Sequence, residues 1–184
     1  CADAGVVCRM MPEVNIGLNR VGSRPGQDTL DLAMAIDKLE GLELAGIMGY
    51  EGHLLQIQDQ AEKEEKIIEA MRTLVGCKTT IEAKGIPCEI VSAGGTGSYQ
   101  ITSNCEGITE LQAGGGIFAD PMYVNKWGLT GLDYSLSVLA TVVSRPEKGR
   151  MVLDCGRKTM HPDFQLPLVK AWPDAEVTAL SAEH

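Results

Sequence analysis

The sequence predicts an α/β protein: part of a TIM-type (β/α)8 barrel over residues 1–130, followed by the start of a β-rich domain over 131–184. Three observations predict it. Short apolar runs that read as strands alternate with helix-patterned stretches, the order of βαβ units around a parallel sheet. Two glycine-rich turns, Gly94-Gly95-Thr96-Gly97 and Gly114-Gly115-Gly116, each follow such a run directly. Beyond them, two strand-like runs are joined by a segment too short for a helix.

Residues 11–19 alternate Val14, Ile16 and Leu18 with Glu13, Asn15 and Gly17, the period-two signature of a strand. The run ends in the turn-rich loop Arg20-Val21-Gly22-Ser23-Arg24-Pro25-Gly26. Asp28 is then placed to cap a helix whose apolar face is Leu32, Ala35, Ile36 and Leu39. The order repeats at once, with Leu44-Ala45-Gly46-Ile47-Met48 as strand and Gly49-Tyr50-Glu51-Gly52-His53 as its loop. A long helix is expected over 58–84, with Ile57, Ala61, Ile67, Ile68, Met71, Leu74, Val75 and Ile81 inward. Glu62, Lys63, Glu64, Glu65 and Lys66 lie on its wet side. Gly85 and Pro87 stop it. Residues 88–92 form a third strand entering the first glycine turn, and Glu110-Leu111-Gln112 leads into the second. Residues 134–144 and 150–155, joined by Arg145-Pro146-Glu147-Lys148-Gly149, read as a hairpin that opens the β-rich domain.

At 184 residues the chain suffices for one well-buried domain, or a domain and part of another. A formal charge of -9 and a pI near 4.8, without any basic stripe, count against nucleic acid or an anionic membrane as partner. No apolar run is long enough to span a bilayer, and the first residues show no charged region followed by an apolar core. The six cysteines are scattered with no Cys-x-x-Cys pair, so a cytoplasmic chain with reduced thiols is expected. Both ends, Cys1-Ala2-Asp3 and Leu180-Ser181-Ala182-Glu183-His184, lie in sequence that reads as structured, so a fragment is expected.

Glycine backbone without Cβ presents N–H groups to an anion at close range, and Ser92, Thr96 and Ser98 add hydroxyls, so the first turn reads as a phosphate cup. One isolated glycine cluster is as readily just a tight turn. Two clusters after consecutive strands stand where α/β folds place ligands, at the carboxyl ends of the strands. The P-loop pattern is absent, and Gly-Gly-Thr-Gly-Ser lacks the dinucleotide-binding glycine spacing, which leaves the phosphate of a small cofactor. Arg20 also follows a strand, where a solvated loop arginine is the plain alternative. Tyr50 and His53 share the next loop. A histidine in such a neighbourhood is more often packed than catalytic.

The blocks VNIGLNRVG, GIMGYEGH, VSAGGTGSY, ELQAGGGIFADPMY, VLDCGRK and LSAEH, in this order, resemble the fold-type III pyridoxal-phosphate enzymes. The nearest group is that of D-threonine aldolase, 3-hydroxy-D-aspartate aldolase and D-serine dehydratase, with alanine racemase more distant. The resemblance implies pyridoxal 5'-phosphate held at the strand ends. Thr96 would take the phosphate in a cup shaped by Gly94, Gly95 and Gly97 beside Ser92. Gly114 and Gly115 would give backbone N–H groups, and Tyr123 would reach the same phosphate. Arg20 would lie beside the cofactor's ring oxygen, with Tyr50 and Gln112 around the pyridine nitrogen. Alanine racemase has an arginine in the place of Gln112, so a neutral partner is implied here. His53 is the catalytic candidate, through polar contact near the base.

The family's cofactor-bearing lysine sits upstream of anything present here, and Lys158 matches a second-domain lysine instead. Metal-binding members place a histidine with a nearby cysteine or aspartate after the Glu-His block, so no residue is assigned to a metal; His161 and His184 lack a second ligand at suitable spacing. The activity implied is a homodimeric lyase that cleaves small D-3-hydroxy amino acids with a divalent metal (Mn, Mg or Zn) in the full-length protein, this fragment alone being inactive. D-serine dehydratase, racemase and non-catalytic cofactor carrier are the alternatives.

Overall fold

The computed structural model describes residues 1–161 and 165–184. They form two compact units, Cys1–Gly116 and Ile117–His184.

In the first unit, β1 (Cys8–Met10) pairs in parallel with β2 (Leu42–Leu44), Cys8 opposite Leu42. A second parallel sheet has the order β3 (Gly46–Met48), β4 (Ile90–Ala93), β5 (Glu110–Leu111). β2 and β3 are one extended run broken at Ala45. The Ala45 amide donates to the Met10 carbonyl at 2.9 Å, and its carbonyl accepts from the Ile90 amide at 3.1 Å, so the two sheets adjoin. The Met48 amide donates to the Pro12 carbonyl and its carbonyl accepts from Val14, which carries the first strand's pairing past β1.

Four sequence expectations shift here. The first strand pairs from Cys8 to Val14 rather than over 11–19, because the Asn15 side-chain oxygen takes the amides of Gly17 (3.1 Å) and Asn19 (3.0 Å) and turns the chain. Helix α1 (Gln27–Lys38) starts after Gly26 with no side-chain cap; Asp28 instead pairs with Arg24. Its buried face is Thr29, Leu30, Ala33 and Ile36, leaving Leu32 and Leu39 exposed. Thr29 tolerates burial because its hydroxyl donates to the Arg24 carbonyl at 2.8 Å. Helix α2 (Gln60–Glu82) is the long helix expected, capped by the Asp59 side chain, which accepts from the Glu62 amide at 2.9 Å. Lys63, expected on its wet side, is buried with Ile67, Ala70, Met71, Leu74, Cys77 and Ile81. Its aliphatic stem joins that face, and burial pushes the ammonium pKa down.

α1 and α2 pack on the sheets around one apolar core that includes Val14, Leu30, Ile47, Ile67, Leu74, Ile81 and Val91. Strand, helix and strand succeed one another as the sequence predicts, with one added helical turn, α3 (Tyr99–Thr102), between β4 and β5. No helix among the described residues is long and apolar enough to cross a membrane. All six cysteines are free.

In the second unit, a π-helical turn, Met122–Lys126, precedes an antiparallel hairpin of β6 (Val142–Glu147) and β7 (Arg150–Leu153). The hairpin is present, but its first strand begins at Val142 rather than 134 and runs on to Glu147. Only Lys148 and Gly149 make the turn. Pro146 is tolerated because a two-stranded ladder is all edge, and the register slips between Ser144 and Glu147.

Candidate active site

Parallel pairing puts three strand ends level. Met48 pairs with Ser92, Ser92 with Glu110 and Ala93 with Leu111, so the loops after β3, β4 and β5 leave the same edge of the sheet. Those loops carry Tyr50 and His53, the first glycine turn, and the second. A Cβ built on Gly116 would lie 4.0 Å from Thr96 Cγ2, which makes the two glycine turns neighbours.

The first turn is held from within. Gly94 has φ +73, a left-handed conformation that glycine takes without strain. Its amide donates to Glu51 Oε2 at 3.3 Å and its carbonyl accepts from the Gln112 amide at 2.9 Å. The Gly95 amide donates to Ser98 Oγ at 3.1 Å. These two N–H groups are therefore engaged inside the protein. The Thr96 hydroxyl is not: it is buried, in a residue only 4 % exposed, and has no hydrogen-bond partner. A buried hydroxyl left without a partner costs about 1–3 kcal/mol, and an anion bound in the turn would remove that cost. The residues present thus fit a phosphate group.

Tyr50 closes one side. A Cβ on Gly95 would come within 3.0 Å of its ring and 3.1 Å of its hydroxyl, so glycine is what lets the ring lie against the turn. The Arg20 guanidinium stands 5.8 Å from the Tyr50 ring centroid and 3.3 Å from Glu13 Oε1, cation over π-face with a carboxylate behind. Gln112 Nε2 donates to Ser92 Oγ at 2.8 Å, and Ser92 Oγ lies 2.6 Å from Glu110 Oε1. A carboxylate only accepts, so Ser92 donates to Glu110 and takes the Gln112 N–H on a lone pair. That fixes which end of the Gln112 amide faces Ser92.

His53 lies on the short helical turn Gly52–Leu54. Its Nδ1 is buried without a partner, and its Nε2 side is so close to Gly17 that a Cβ there would sit 2.6 Å away. Desolvation lowers the imidazole pKa, opposed by the charge of Glu51, so the ring is neutral at pH 7.

The structure thus gathers Arg20, Tyr50, Ser92, Gly94, Gly95, Thr96, Gln112 and the second glycine turn with Gly114 on one sheet edge. Gly97 continues the first turn and Gly115 the second. Tyr123 belongs to the second unit, where its ring meets Trp127 edge-on with centroids 5.1 Å apart. Lys158 pairs with Glu183, and His161 is exposed. No group of three or more potential metal ligands occurs among the described residues.

Sequence reasoning missed Glu51 and Thr102, both fully buried, with Thr102 Oγ1 donating to Glu51 Oε1 at 2.7 Å. The available signal was position alone: Glu51 stands between Tyr50 and His53, and Thr102 falls one helical turn after Ser98. Neither residue type announces burial.

Comparison with known proteins gives the same picture from another direction. Residues 1–121 match the family model described as alanine racemase, N-terminal domain, and residues 135–184 match one described as a putative serine dehydratase domain. The chain is similar to a D-threonine aldolase of Arthrobacter sp, 33% identical over 98% of this chain and 48% of the relative. It is also similar to a D-threo-3-hydroxyaspartate dehydratase of Delftia sp. strain HT23, 32% identical over 82% of this chain and 41% of the relative. The crystal structure of D-threonine aldolase from Filomicrobium marinum superposes with a TM-score of 0.92 at 29% identity, covering 99% of this chain and 49% of that one. The chain spans about half the length of the curated relatives it matches. That agreement of fold makes the parallel sheets part of a (β/α) barrel, as the strand and helix order predicts. With the family model matched across the unit that carries both glycine turns, this chain belongs to the alanine racemase N-terminal domain family.

Proposed function

We propose that this chain is part of a pyridoxal-phosphate-dependent lyase that cleaves D-3-hydroxy amino acids such as D-threonine to glycine and an aldehyde. The observation that carries the reading is the Thr96 hydroxyl, buried and unpartnered where two glycine turns meet at level strand ends. Pyridoxal phosphate, when bound, supplies an electron sink for the pair released as the Cα–Cβ bond breaks. The residues of this chain hold and orient it. Thr96 and the turns around Gly94, Gly97, Gly114 and Gly115 grip the phosphate, and Tyr50 walls the pocket. Gln112, held by Ser92 and Glu110, offers the ring a neutral partner, and Arg20 supplies a fixed cation. His53, neutral at pH 7, is suited to accept a proton. A divalent-metal requirement belongs to the full-length homodimer and is read by loss of turnover on chelation and its return with Mn, Mg or Zn.

Two measurements test the proposal. The full-length protein should bind pyridoxal phosphate in equilibrium dialysis, and absence of binding would sink the cofactor reading. The full-length protein, given D-threonine, should release glycine and acetaldehyde. A dehydratase would instead release ammonia and a keto acid, a reading favoured by the match of residues 135–184 to the serine dehydratase domain. A racemase would invert Cα without cleavage, and a carrier would bind without turnover.

A further inference from the structure

We propose that Glu51 is the positioning residue of the anion cup, a strut that sets the first glycine turn and ties it to the loop bearing Tyr50 and His53. The inference rests on the cup being the cofactor's phosphate site. Glu51 is 0% exposed, and both of its oxygens are used: Oε1 accepts from Thr102 Oγ1 at 2.7 Å and Oε2 from the Gly94 amide at 3.3 Å. One side chain thereby joins three segments, the loop after β3, the turn after β4, and α3. A Cβ on Gly94 would meet Thr102 Cγ2 at 3.1 Å, so the turn is pressed against the same residue that anchors Glu51.

A buried carboxylate needs a reason. Taking it out of water is costly, and near a phosphate its charge opposes the ligand. Attraction is therefore not its role. What it supplies is a fixed acceptor for Gly94, whose amide, turned into the protein, would otherwise be orphaned. With Gly94 held inward, the chain emerges at Thr96 with the hydroxyl free. Because Glu51 follows Tyr50 and precedes His53 by two residues, the cup and that loop move as one body.

The test separates geometry from charge. Glu51→Gln can keep both bonds, its oxygen accepting from Gly94 and its amide donating to a Thr102 hydroxyl turned to accept. Glu51→Ala keeps neither. In the full-length protein, Glu51→Ala is expected to weaken pyridoxal-phosphate binding at least tenfold and to abolish hydrogen-exchange protection of the Gly94 amide, with Ile47 and Val91 still protected. Glu51→Gln should stay within threefold of the wild-type Kd and keep Gly94 protected. Should Glu51→Ala fail to fold, Thr102→Val, which removes one anchor, should raise both Gly94 exchange and Kd. Unchanged Gly94 exchange and Kd in the alanine or valine variant overturns the proposal, as does a glutamine variant as impaired as the alanine one. If the wild type binds no pyridoxal phosphate, the cofactor reading fails, and Gly94 exchange alone decides the role of Glu51.

Discussion

Thr96 and His53 each hold a buried polar atom with no partner, and the two cases have opposite consequences. Replacing Thr96 with valine removes a buried hydroxyl that has no hydrogen-bond partner within the protein, so Tm without added cofactor should stay level or rise. If the turn is the cofactor's phosphate site, as proposed, the same change deletes one hydrogen bond to a charged group, worth about 1.5–3 kcal/mol, so the Kd for pyridoxal phosphate should rise by about tenfold or more. Paired thermal melts and dialysis check this, and a joint fall in stability and affinity would contradict it. For His53, desolvation lowers the folded-state pKa below the unfolded value near 6.5. Between the two values the unfolded chain binds a proton that the folded chain refuses, so stability rises with pH in that window and is lost on acidification below about 6.5. His53→Gln should flatten the pH dependence of Tm between pH 7 and 5. Both candidates were visible by type and position in the sequence. Their missing partners were not, because whether a polar atom is satisfied depends on segments far along the chain.

Among the elements, the loop after the first strand shows how a turn and a site constrain each other. Gly17 has φ +123, which other residues adopt only with strain, and its open side is filled by the His53 ring. Gly17→Ala should therefore cost about 1–3 kcal/mol and shift His53; a Tm within a degree of wild type would refute the packing described. Helix α2 offers a cleaner case, since Asp59 caps it through the Glu62 amide. Asp59→Ala should cost about 1 kcal/mol, read as a lower denaturation midpoint at unchanged slope. The long helix was legible because its period and its stop signals, Gly85 and Pro87, are local. The apolar face of α1 was not, because large side chains suggest one stripe, whereas the structure buries Thr29 and Ala33 and exposes Leu32 and Leu39. Which stripe turns inward is set by the sheet beneath.

At the scale of the whole chain, burial controls the thiols. The Cys88 thiol pKa is pushed up to about 11, chiefly by desolvation and then by Glu82, and Cys77 is buried beside it in the core cluster. Cys1 is exposed. At pH 8 a thiol reagent should therefore label Cys1 rapidly and reach Cys77 and Cys88 only on unfolding, measurable by mass spectrometry; rapid labelling of Cys88 in the native state would contradict the packing. Spacing and the order of strands, helices and glycine turns determined the α/β class, because those signals repeat over short windows, and the ordered sequence blocks carried the family resemblance; both survive without coordinates. Only the tertiary structure decided that the strand ends are level, that the Gly94 and Gly95 amides are already engaged while the Thr96 hydroxyl is free, and that Glu51 and Lys63 are buried. These are pairings between residues up to 51 positions apart, and the free energy of a polar group depends on what surrounds it in space rather than on its neighbours in sequence.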